Sequence, residues 1–303
     1  MIAYLFDPNC YEHDTGYHLE VYDRCKSIND MVKDKYGLNS LPLIDGEKEE
    51  LYKIHDPSYV DWVESGYENG VRMIISSDTI LSKNSYKIAK RAACSTKSVI
   101  DSFKKGEFKR AFLNLRPPGH HAEIITGQGF CIFNNIALMA KYAQEAGFKN
   151  VLIIDFDVHH GNGTQDIFYE DDRVYYFSTH EEQNYPFTGS FDETGKGKGV
   201  GFTKNMPYKN GIRDSEFLKL FNELPEDFDA DIVLVSAGYD LMMDEEISSS
   251  KISFDALSKM IDLLLDRYKE LPIAFVLEGG YNIPSLVKSV DITIDKLLQS
   301  SRS

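Results

Sequence analysis

The chain has 303 residues and a formal net charge of −15, because 48 Asp and Glu outnumber 33 Lys and Arg. This acidity argues against binding to the phosphate backbone of nucleic acid and is compatible with a small cationic ligand. The stretch MIAYLFDPN lacks the features of a signal peptide, and no apolar run approaches the length of a membrane span. Four scattered cysteines without a C-x-x-C pair favour a reducing compartment. We therefore expect a cytoplasmic protein that binds neither nucleic acid nor membrane.

Apolar, strand-like runs alternate along the chain with segments whose apolar residues recur three and four positions apart. In chain order these are helix 85–103, strand 108–115, helix 134–146, strands 150–158 and 173–180, helix 215–224, strand 231–240, helix 254–270, strand 273–281 and helix 285–299. Such alternation indicates a parallel sheet covered by helices on both faces. Since there is no internal repeat or linker, the sequence predicts a single α/β domain over residues 1–303.

Polar residues follow the predicted strands, at the point where each strand ends. RPPGHHAE follows FLNL, DFDVHHGN follows VLII, THEE follows YYFS, and the last two runs end in SAGYD and LEGGY. In open α/β sheets, ligands bind beyond the carboxyl ends of the strands. Separate polar turns are a poor explanation for so many histidines and aspartates at these positions. We therefore expect their side chains to form one site.

Asp157 and His159 are two residues apart near the end of one predicted strand, so their side chains should point the same way. Charged groups beside a buried strand are costly unless they are paired or bind a metal. Asp240, at the end of another predicted strand, is the best candidate for a third ligand. Three protein ligands with an open position are typical of catalytic zinc. The sequence predicts one such zinc ion per chain, although ferrous iron suits the same ligands.

Five motifs together resemble those of the zinc-dependent histone deacetylase superfamily, which includes acetylpolyamine amidohydrolases and bacterial acetoin-utilisation proteins. The motifs are RPPGHHAE (116–123), GFCIFNN (129–135), DFDVHHGNGTQDIFY (155–169), SAGYD (236–240) and LEGGY (277–281). The resemblance implies a three-layer α/β/α fold of the arginase and deacetylase type, around a mainly parallel, eight-stranded sheet. It also implies hydrolysis of an N-acetylated amine, either acetyl-lysine in a protein or peptide or an acetylpolyamine, to acetate and free amine.

The resemblance assigns Asp157, His159 and Asp240 as the zinc ligands. The implied catalytic residues are the pair His120 and His121, their partners Asp155 and Asn162, and Tyr281, which would hydrogen-bond the scissile carbonyl. An aspartate partner favours the charged imidazolium more than a neutral asparagine does. We therefore expect His120 to be the more cationic member and His121 to be the general base and acid.

The resemblance also implies substrate-binding residues and structural potassium. The substrate would contact Gly129, Phe130, Tyr185, Asp78 and Gly279. Phe130 and Tyr185 would enclose an alkyl chain between aromatic walls, with ordinary core packing as the alternative for each. Asp78 would hold the substrate backbone or, alternatively, form a turn before a helix. The nearer potassium site would use the Asp155 and Ser178 side chains and the carbonyls of Asp155, Asp157, His159 and Thr179, and the second the carbonyls of Phe168, Asp171 and Val174.

Two segments depart from the family pattern. HLEVYDR (18–24) lacks the usual prolines but keeps Arg24, which we expect to support the floor of the pocket. The segment after Asp240 lacks the usual Asp-Pro pair, so either Ile247 or Glu246 could occupy the rim position that selects substrates.

Two other functions compete with this interpretation. A two-manganese ureohydrolase of the arginase type would need acids where the chain has Gly161 and Gly238. A catalytically silent, acyl-binding zinc protein would be expected to lack Tyr281 or the histidine pair. We expect the remaining histidines to be structural: His13, His18, His55, His160 and His180.

Overall fold

A computed structural model of the protein describes residues 1–66, 73–76 and 78–301. The strands in this part of the chain are β1 Ala3–Phe6, β2 Met73–Ser76, β3 Thr79–Leu81, β4 Arg110–Asn114, β5 Val151–Asp155, β6 Val174–Glu181, β7 Thr203–Tyr208, β8 Ile232–Ala237 and β9 Ile273–Leu277. The helices are α1 Tyr22–Tyr36, α2 Pro57–Ser65, α3 Ser85–Lys104, α4 Asn135–Ala146, α5 Asn162–Phe168, α6 Asp214–Phe221, α7 Phe254–Arg267 and α8 Ile283–Ser300. Among the described residues, none of these helices is long and apolar enough to cross a membrane.

The described residues form a central sheet of seven parallel strands in the order β1-β4-β9-β8-β5-β6-β7. The expected count of eight is therefore wrong for the described part of the chain. Strands β2 and β3 instead pair with each other as a separate antiparallel hairpin. Because only a few residues connect them, they cannot make the long crossover that a parallel pair requires.

Helices cover both faces of the sheet, as the sequence predicts. One apolar cluster joins the sheet to α1, α6, α7 and α8, and a second joins its other face to α2, α3 and α4. Neighbouring residues of a strand contribute to opposite clusters: Ile154 belongs to the first and Ile153 to the second. This arrangement confirms the three-layer α/β/α architecture.

The five predicted strands and five predicted helices are all present, but three strands end at least three residues earlier than expected, and the first of these, β5, ends at Asp155. β8 ends at Ala237 and β9 at Leu277, where glycines follow. Gly280 has a φ of +116°, which favours glycine and turns the chain away from the sheet. Asn282 then caps α8, since its side chain accepts a hydrogen bond from the Ser285 amide at 3.2 Å. These turns place functional side chains beyond the carboxyl edge of the sheet.

Leu234 tests the central packing of the sheet. It lies on β8 and has 0% of its surface exposed. We expect Leu234→Ala to lower the free energy of unfolding by about 2–5 kcal/mol through lost burial and the cavity left behind. Urea denaturation would measure this change. Val200→Ala, at a position that is 59% exposed, is the control and should change stability by less than about 0.5 kcal/mol. Equal losses in both variants would contradict this account of the core.

Candidate active site

Four adjacent strands deliver polar side chains to the carboxyl edge of the sheet. His120 and His121 lie beyond β4, Tyr281 beyond β9, Asp240 beyond β8 and Asp157 beyond β5. The polar turns that the sequence places after separate strands are therefore neighbours in space. These turns are far apart along the chain and become neighbours because the strands lie in the order β4-β9-β8-β5.

Asp157, His159 and Asp240 form a compact cluster of potential metal ligands. Each offers one ligand atom, and these three atoms lie within 4.8 Å of one another. His159 Nδ1 is 3.0 Å from Asp157 Oδ1 and 3.3 Å from Asp240 Oδ2. Asp157 and His159 occupy bends after β5 rather than the extended strand end that the sequence predicts. Their side chains nevertheless converge.

The chemistry of this cluster fits a divalent cation. Asp157 and Asp240 are buried carboxylates, and Asp240 Oδ2 has no hydrogen-bond partner among the described residues. Two carboxylates in a dry environment are costly unless a cation compensates them. Backbone amides already orient the other oxygens: Gly279 donates to Asp157 Oδ2 at 2.9 Å and Val158 donates to Asp240 Oδ1 at 3.0 Å. The two aspartates and His159 could therefore hold a metal ion such as zinc.

Glycines provide the space for these carboxylates. A Cβ atom at Gly238 would lie 2.0 Å from Asp157 Oδ2, and one at Gly279 would lie 2.1 Å from Asp240 Oδ2. A Cβ atom at Gly161 would lie 2.2 Å from Asp155 Oδ2. The backbone therefore leaves no room for further carboxylates at positions 161 and 238. This geometry argues against the two-manganese alternative.

The two neighbouring histidines make different hydrogen bonds. Their ring centroids are 4.0 Å apart. His120 Nδ1 lies 3.1 Å from Asp155 Oδ2, whereas His121 Nδ1 lies 2.7 Å from Asn162 Oδ1. One imidazole therefore faces a carboxylate and the other faces a neutral amide, as the resemblance implies.

These surroundings move the two pKa values in opposite directions. Burial alone would lower the pKa of His120, but the Asp155 and Asp157 carboxylates outweigh it and raise the pKa to about 10. Burial lowers the pKa of His121 well below its ordinary value, and the charges of His120 and His159 lower it further. His120 is therefore the more cationic member of the pair, and His121 is the member that is better suited to accept a proton.

Two glutamates that sequence analysis missed hold the backbone of the site. Glu278 Oε2 accepts hydrogen bonds from the amides of Gly119 at 2.7 Å and His120 at 3.1 Å. Glu245 Oε1 accepts from the amides of Tyr281 at 2.8 Å and Asn282 at 2.9 Å. Burial raises the pKa of each carboxyl to about 7. Glu278 lies within the LEGGY motif, but its side chain points at backbone donors that no sequence pattern reveals.

Arg24 lies below Tyr281, where the sequence predicts support for the pocket floor. Its guanidinium is buried and donates to the carbonyls of Gly280 at 2.6 Å and Glu278 at 2.5 Å. The guanidinium carbon is 4.7 Å from the centre of the Tyr281 ring, a cation–π distance. Glu20 balances the charge with a contact of 3.3 Å. Arg24 thus fixes both the backbone and the ring position of Tyr281.

A cavity of about 260 Å³ leads to this cluster. Its lining residues are Leu19, Asp78, Pro118, His120, His121, Gly129, Phe130, Asp157, His159, Tyr185, Ile247, Gly279 and Tyr281. All five predicted substrate-binding residues therefore lie on its wall. Phe130 packs edge-on against Tyr281 with ring centroids 5.6 Å apart, and Tyr185 packs edge-on against His121 at 5.1 Å.

The rim of the cavity shows which of Ile247 and Glu246 lines it, and it places Asp78 differently from the sequence prediction. In the described part of the chain Ile247 lines the cavity, whereas Glu246 is exposed and does not. Asp78 lies in the turn between β2 and β3 rather than directly before a helix. Its Oδ1 atom accepts a hydrogen bond from the Gly129 amide at 3.2 Å. Gly129 has a φ of +54°, and a Cβ there would lie 2.3 Å from a His121 ring carbon.

The predicted potassium ligands also come together. Asp155 and Ser178 are register partners on β5 and β6. The second set lies in one turn, because the Asp171 amide donates to the Phe168 carbonyl at 3.0 Å and the Val174 amide donates to the Asp171 carbonyl at 3.4 Å. Potassium binding itself remains a prediction.

The other histidines bond within the protein. The ring nitrogens of His13, His55, His160 and His180 lie near protein oxygens, and His18 Nε2 lies 3.2 Å from the Asp78 carbonyl.

Comparison with known proteins identifies the family. The histone deacetylase domain matches residues 18–297, and the chain therefore belongs to the histone deacetylase family. A probable deacetylase of Archaeoglobus fulgidus is 34% identical over 253 residues, which cover 81% of this chain and 70% of that protein. The crystal structure of the HDA15 HD domain matches with a TM-score of 0.91 at 32% identity, covering 98% of this chain and 90% of that one.

Longer relatives are also similar. Histone deacetylase 14, chloroplastic, of Arabidopsis thaliana is 36% identical over 268 residues, which cover 82% of this chain and 63% of the relative. Polyamine deacetylase HDAC10 of Danio rerio is 34% identical over 280 residues, which cover 86% of this chain and 41% of the relative. The chain thus spans less than two thirds of either protein.

Asp240 tests the metal site. We expect the protein to bind one zinc ion per chain and Asp240→Asn to weaken zinc binding more than about 100-fold, since outer partners of metal sites alone contribute roughly 10- to 100-fold. Competition with a chromogenic chelator would measure the affinity. Glu246→Gln removes an exposed carboxylate from the same loop and is the control. Unchanged zinc affinity in the Asp240 variant would exclude this residue as a ligand.

Proposed function

We propose that this chain is a zinc-dependent amidohydrolase that removes acetyl groups from acetyl-lysine side chains in peptides or proteins. The observation that supports it most is the convergence of the Asp157, His159 and Asp240 cluster, the histidine pair and Tyr281 on one narrow cavity. Family membership supports the same reaction, since the archaeal relative carries the name of a probable deacetylase.

Asp157, His159 and Asp240 would hold the zinc ion at the floor of the cavity. When bound, zinc supplies a Lewis acid that polarises the acetyl carbonyl and makes a water molecule more acidic. The buried Asp240 Oδ2 atom supports this assignment, since it has no hydrogen-bond partner among the described residues and lies 3.3 Å from His159 Nδ1. The two structural potassium sites named above are part of the same proposal.

His121 would transfer the protons. Its Nδ1 atom is engaged by Asn162, so its Nε2 atom is left to accept a proton from the attacking water. The same atom then returns the proton to the leaving amine, which needs it to depart as a neutral group. His120 would remain cationic beside Asp155 and stabilise negative charge that develops on the acetyl oxygen.

Tyr281 would donate a hydrogen bond to the acetyl oxygen. Burial raises the pKa of its hydroxyl well above the ordinary value, so the group remains a proton donor at neutral pH. Contacts with Phe130 and Arg24 hold its ring in place before substrate arrives. A donor that is already positioned costs no reorganisation when charge develops in the transition state.

The walls and rim of the cavity favour an uncharged, extended alkyl chain. Phe130 and Tyr185 are aromatic walls that can enclose methylene groups and exclude water. Leu19 and Ile247 add apolar side chains to the lining. A lysine side chain acetylated at its terminal nitrogen has this character along its whole length.

An acetylpolyamine is the second candidate substrate. Its remaining amines are cationic, and a chain with a net charge of −15 would attract them. The similarity to a Danio rerio protein named polyamine deacetylase also favours this class. Ile247 disfavours it, because an aliphatic side chain offers no carboxylate to a second amine at the mouth.

His121→Ala tests the proton-transfer role. We expect kcat on an acetyl-lysine peptide to fall by roughly 100- to 10,000-fold, the range that a general acid or base contributes. Zinc content should not change, because His121 is outside the ligand cluster. Initial rates and elemental analysis of the purified variant would check both expectations. Zinc loss in step with activity would mean that His121 supports the metal instead.

Substrate choice requires rates on an acetyl-lysine peptide, acetylputrescine and acetylspermidine side by side. We expect the peptide to give the highest kcat/KM. Ile247→Glu should raise kcat/KM for acetylspermidine about 5-fold, since an exposed charge pair contributes up to about 1 kcal/mol, and Ile247→Gln is the uncharged control. A wild-type preference for the polyamines would support the second candidate. Tight binding of acetylated ligands without turnover of any substrate would instead indicate a catalytically silent zinc protein.

A further inference from the structure

Glu123 contacts the partner of His121 from the side opposite the imidazole. Asn162, the first residue of α5, lies between them. Its Nδ2 atom donates to Glu123 Oε1 at 2.6 Å, and its Oδ1 atom lies 2.7 Å from His121 Nδ1. The three side chains therefore form a continuous chain of hydrogen bonds from the half-buried Glu123 to the cavity.

The direction of these hydrogen bonds is determined at the Glu123 end. An ionised carboxylate can only accept hydrogen bonds, so the amide NH₂ of Asn162 must face Glu123. The amide oxygen of Asn162 must then face His121, and an oxygen can only accept from the imidazole. His121 therefore carries its proton on Nδ1 and presents an unprotonated Nε2. Glu123 thus determines which nitrogen of His121 can act as the base.

The orientation of a neutral amide such as that of Asn162 has to be fixed by a neighbouring group, whereas a carboxylate such as that of Asp155 needs no such group. The two ends of an asparagine side chain have almost the same shape, so rotation by half a turn exchanges oxygen for NH₂. The rotated amide would donate to His121 Nδ1 and would require the proton to sit on Nε2. His120 has no such ambiguity, because both oxygens of its partner Asp155 are acceptors.

The loop holds Glu123 in position independently of its carboxylate. The Glu123 amide donates to the Thr126 carbonyl at 2.9 Å, and the Glu123 carbonyl lies 2.9 Å from Nδ1 of His55. The other nitrogen of His55 accepts from the Asn134 amide at 3.0 Å, so its Nδ1 must be the donor to Glu123. The backbone of Glu123 is therefore anchored on both sides.

We propose that Glu123 is a positioning residue that fixes the Asn162 amide and, through it, the tautomer of His121. This inference rests on the proposed amidohydrolase function for its kinetic consequences, but the tautomer itself can be observed without turnover. Glu123 does not touch the cavity floor, and its effect reaches the reaction through two hydrogen bonds.

Glu123→Gln is the sharpest single variant. The substituted side chain has the same shape but can present either oxygen or NH₂ to Asn162, so the direction is no longer fixed. We expect kcat on the acetyl-lysine peptide to fall roughly 10-fold, within the range of outer partners at metal sites, with KM, zinc content and melting temperature unchanged. NMR of the histidine ring nitrogens in isotope-labelled protein should show the Nδ1-protonated form of His121 in wild type and a mixture of tautomers in the variant.

Asp166→Asn is the matched control. The Asp166 carboxylate accepts from the Ile124 amide at 3.2 Å, so it supports the same loop without fixing the Asn162 amide. We expect kcat to change less than about 2-fold in this variant, as for ordinary surface substitutions. A loss equal to that of Glu123→Gln would mean that Glu123 acts only through the stability of the loop.

An Asn162→Asp background should reverse the sign of the effect. A carboxylate at position 162 accepts from His121 in either orientation, but it lies against the like charge of Glu123. Glu123→Gln should therefore raise kcat in this background, although it lowers kcat in the wild type. Equal effects in both backgrounds, or an unchanged His121 tautomer in Glu123→Gln, would overturn the proposal. Absence of turnover in the zinc-loaded wild type would contradict the amidohydrolase function, while the tautomer measurement would still decide the role of Glu123.

Discussion

The two buried carboxylates of Asp157 and Asp240 are the constraint on which the rest of this site depends. The sheet places them side by side, and among the described residues one oxygen of Asp240 has no hydrogen-bond partner and lies 3.3 Å from His159 Nδ1. Such an arrangement is unfavourable in a folded protein unless a cation binds between the charges. The glycines at positions 238 and 279 are required by the same packing, because a side chain at either would collide with a carboxylate oxygen. The potential metal-ligand cluster and the glycines around it therefore have one physical origin.

Around this centre, the side chains that face the cavity are oriented by a second layer of acids. Glu278 holds the backbone amide of His120, Glu245 holds that of Tyr281, and Glu123 holds the amide side chain of Asn162. Each carboxylate accepts from a donor whose position orients a side chain that faces the cavity. Acids in this outer layer can fix geometry without adding ligands to the metal cluster.

Sequence alone predicts the parts of this structure that depend on residues close together in the chain. The alternation of strands and helices predicts the three layers, and the polar turns after strands β4, β5, β8 and β9 predict the site. Strands β1 and β7 escape detection, since one has only four residues and the other includes Pro207 at the sheet edge. The choice between Glu246 and Ile247 depends on the path of an irregular loop. Glu245 and Glu278 are unpredictable because their partners are backbone amides distant in sequence.

The difference between the two histidines shows why an asparagine suits position 162. A carboxylate against His121 would favour its imidazolium, and two adjacent imidazoliums would leave the cavity without a base. A neutral amide keeps His121 uncharged but can rotate, so its direction has to be fixed elsewhere. The half-buried Glu123 carboxylate contacts Asn162 rather than His121. The amide direction is therefore fixed by a charge that does not touch the imidazole. The Glu123 carboxylate, which would orient the Asn162 amide, is then distant enough to leave the pKa of His121 low, while direct contact with Asp155 raises the pKa of His120.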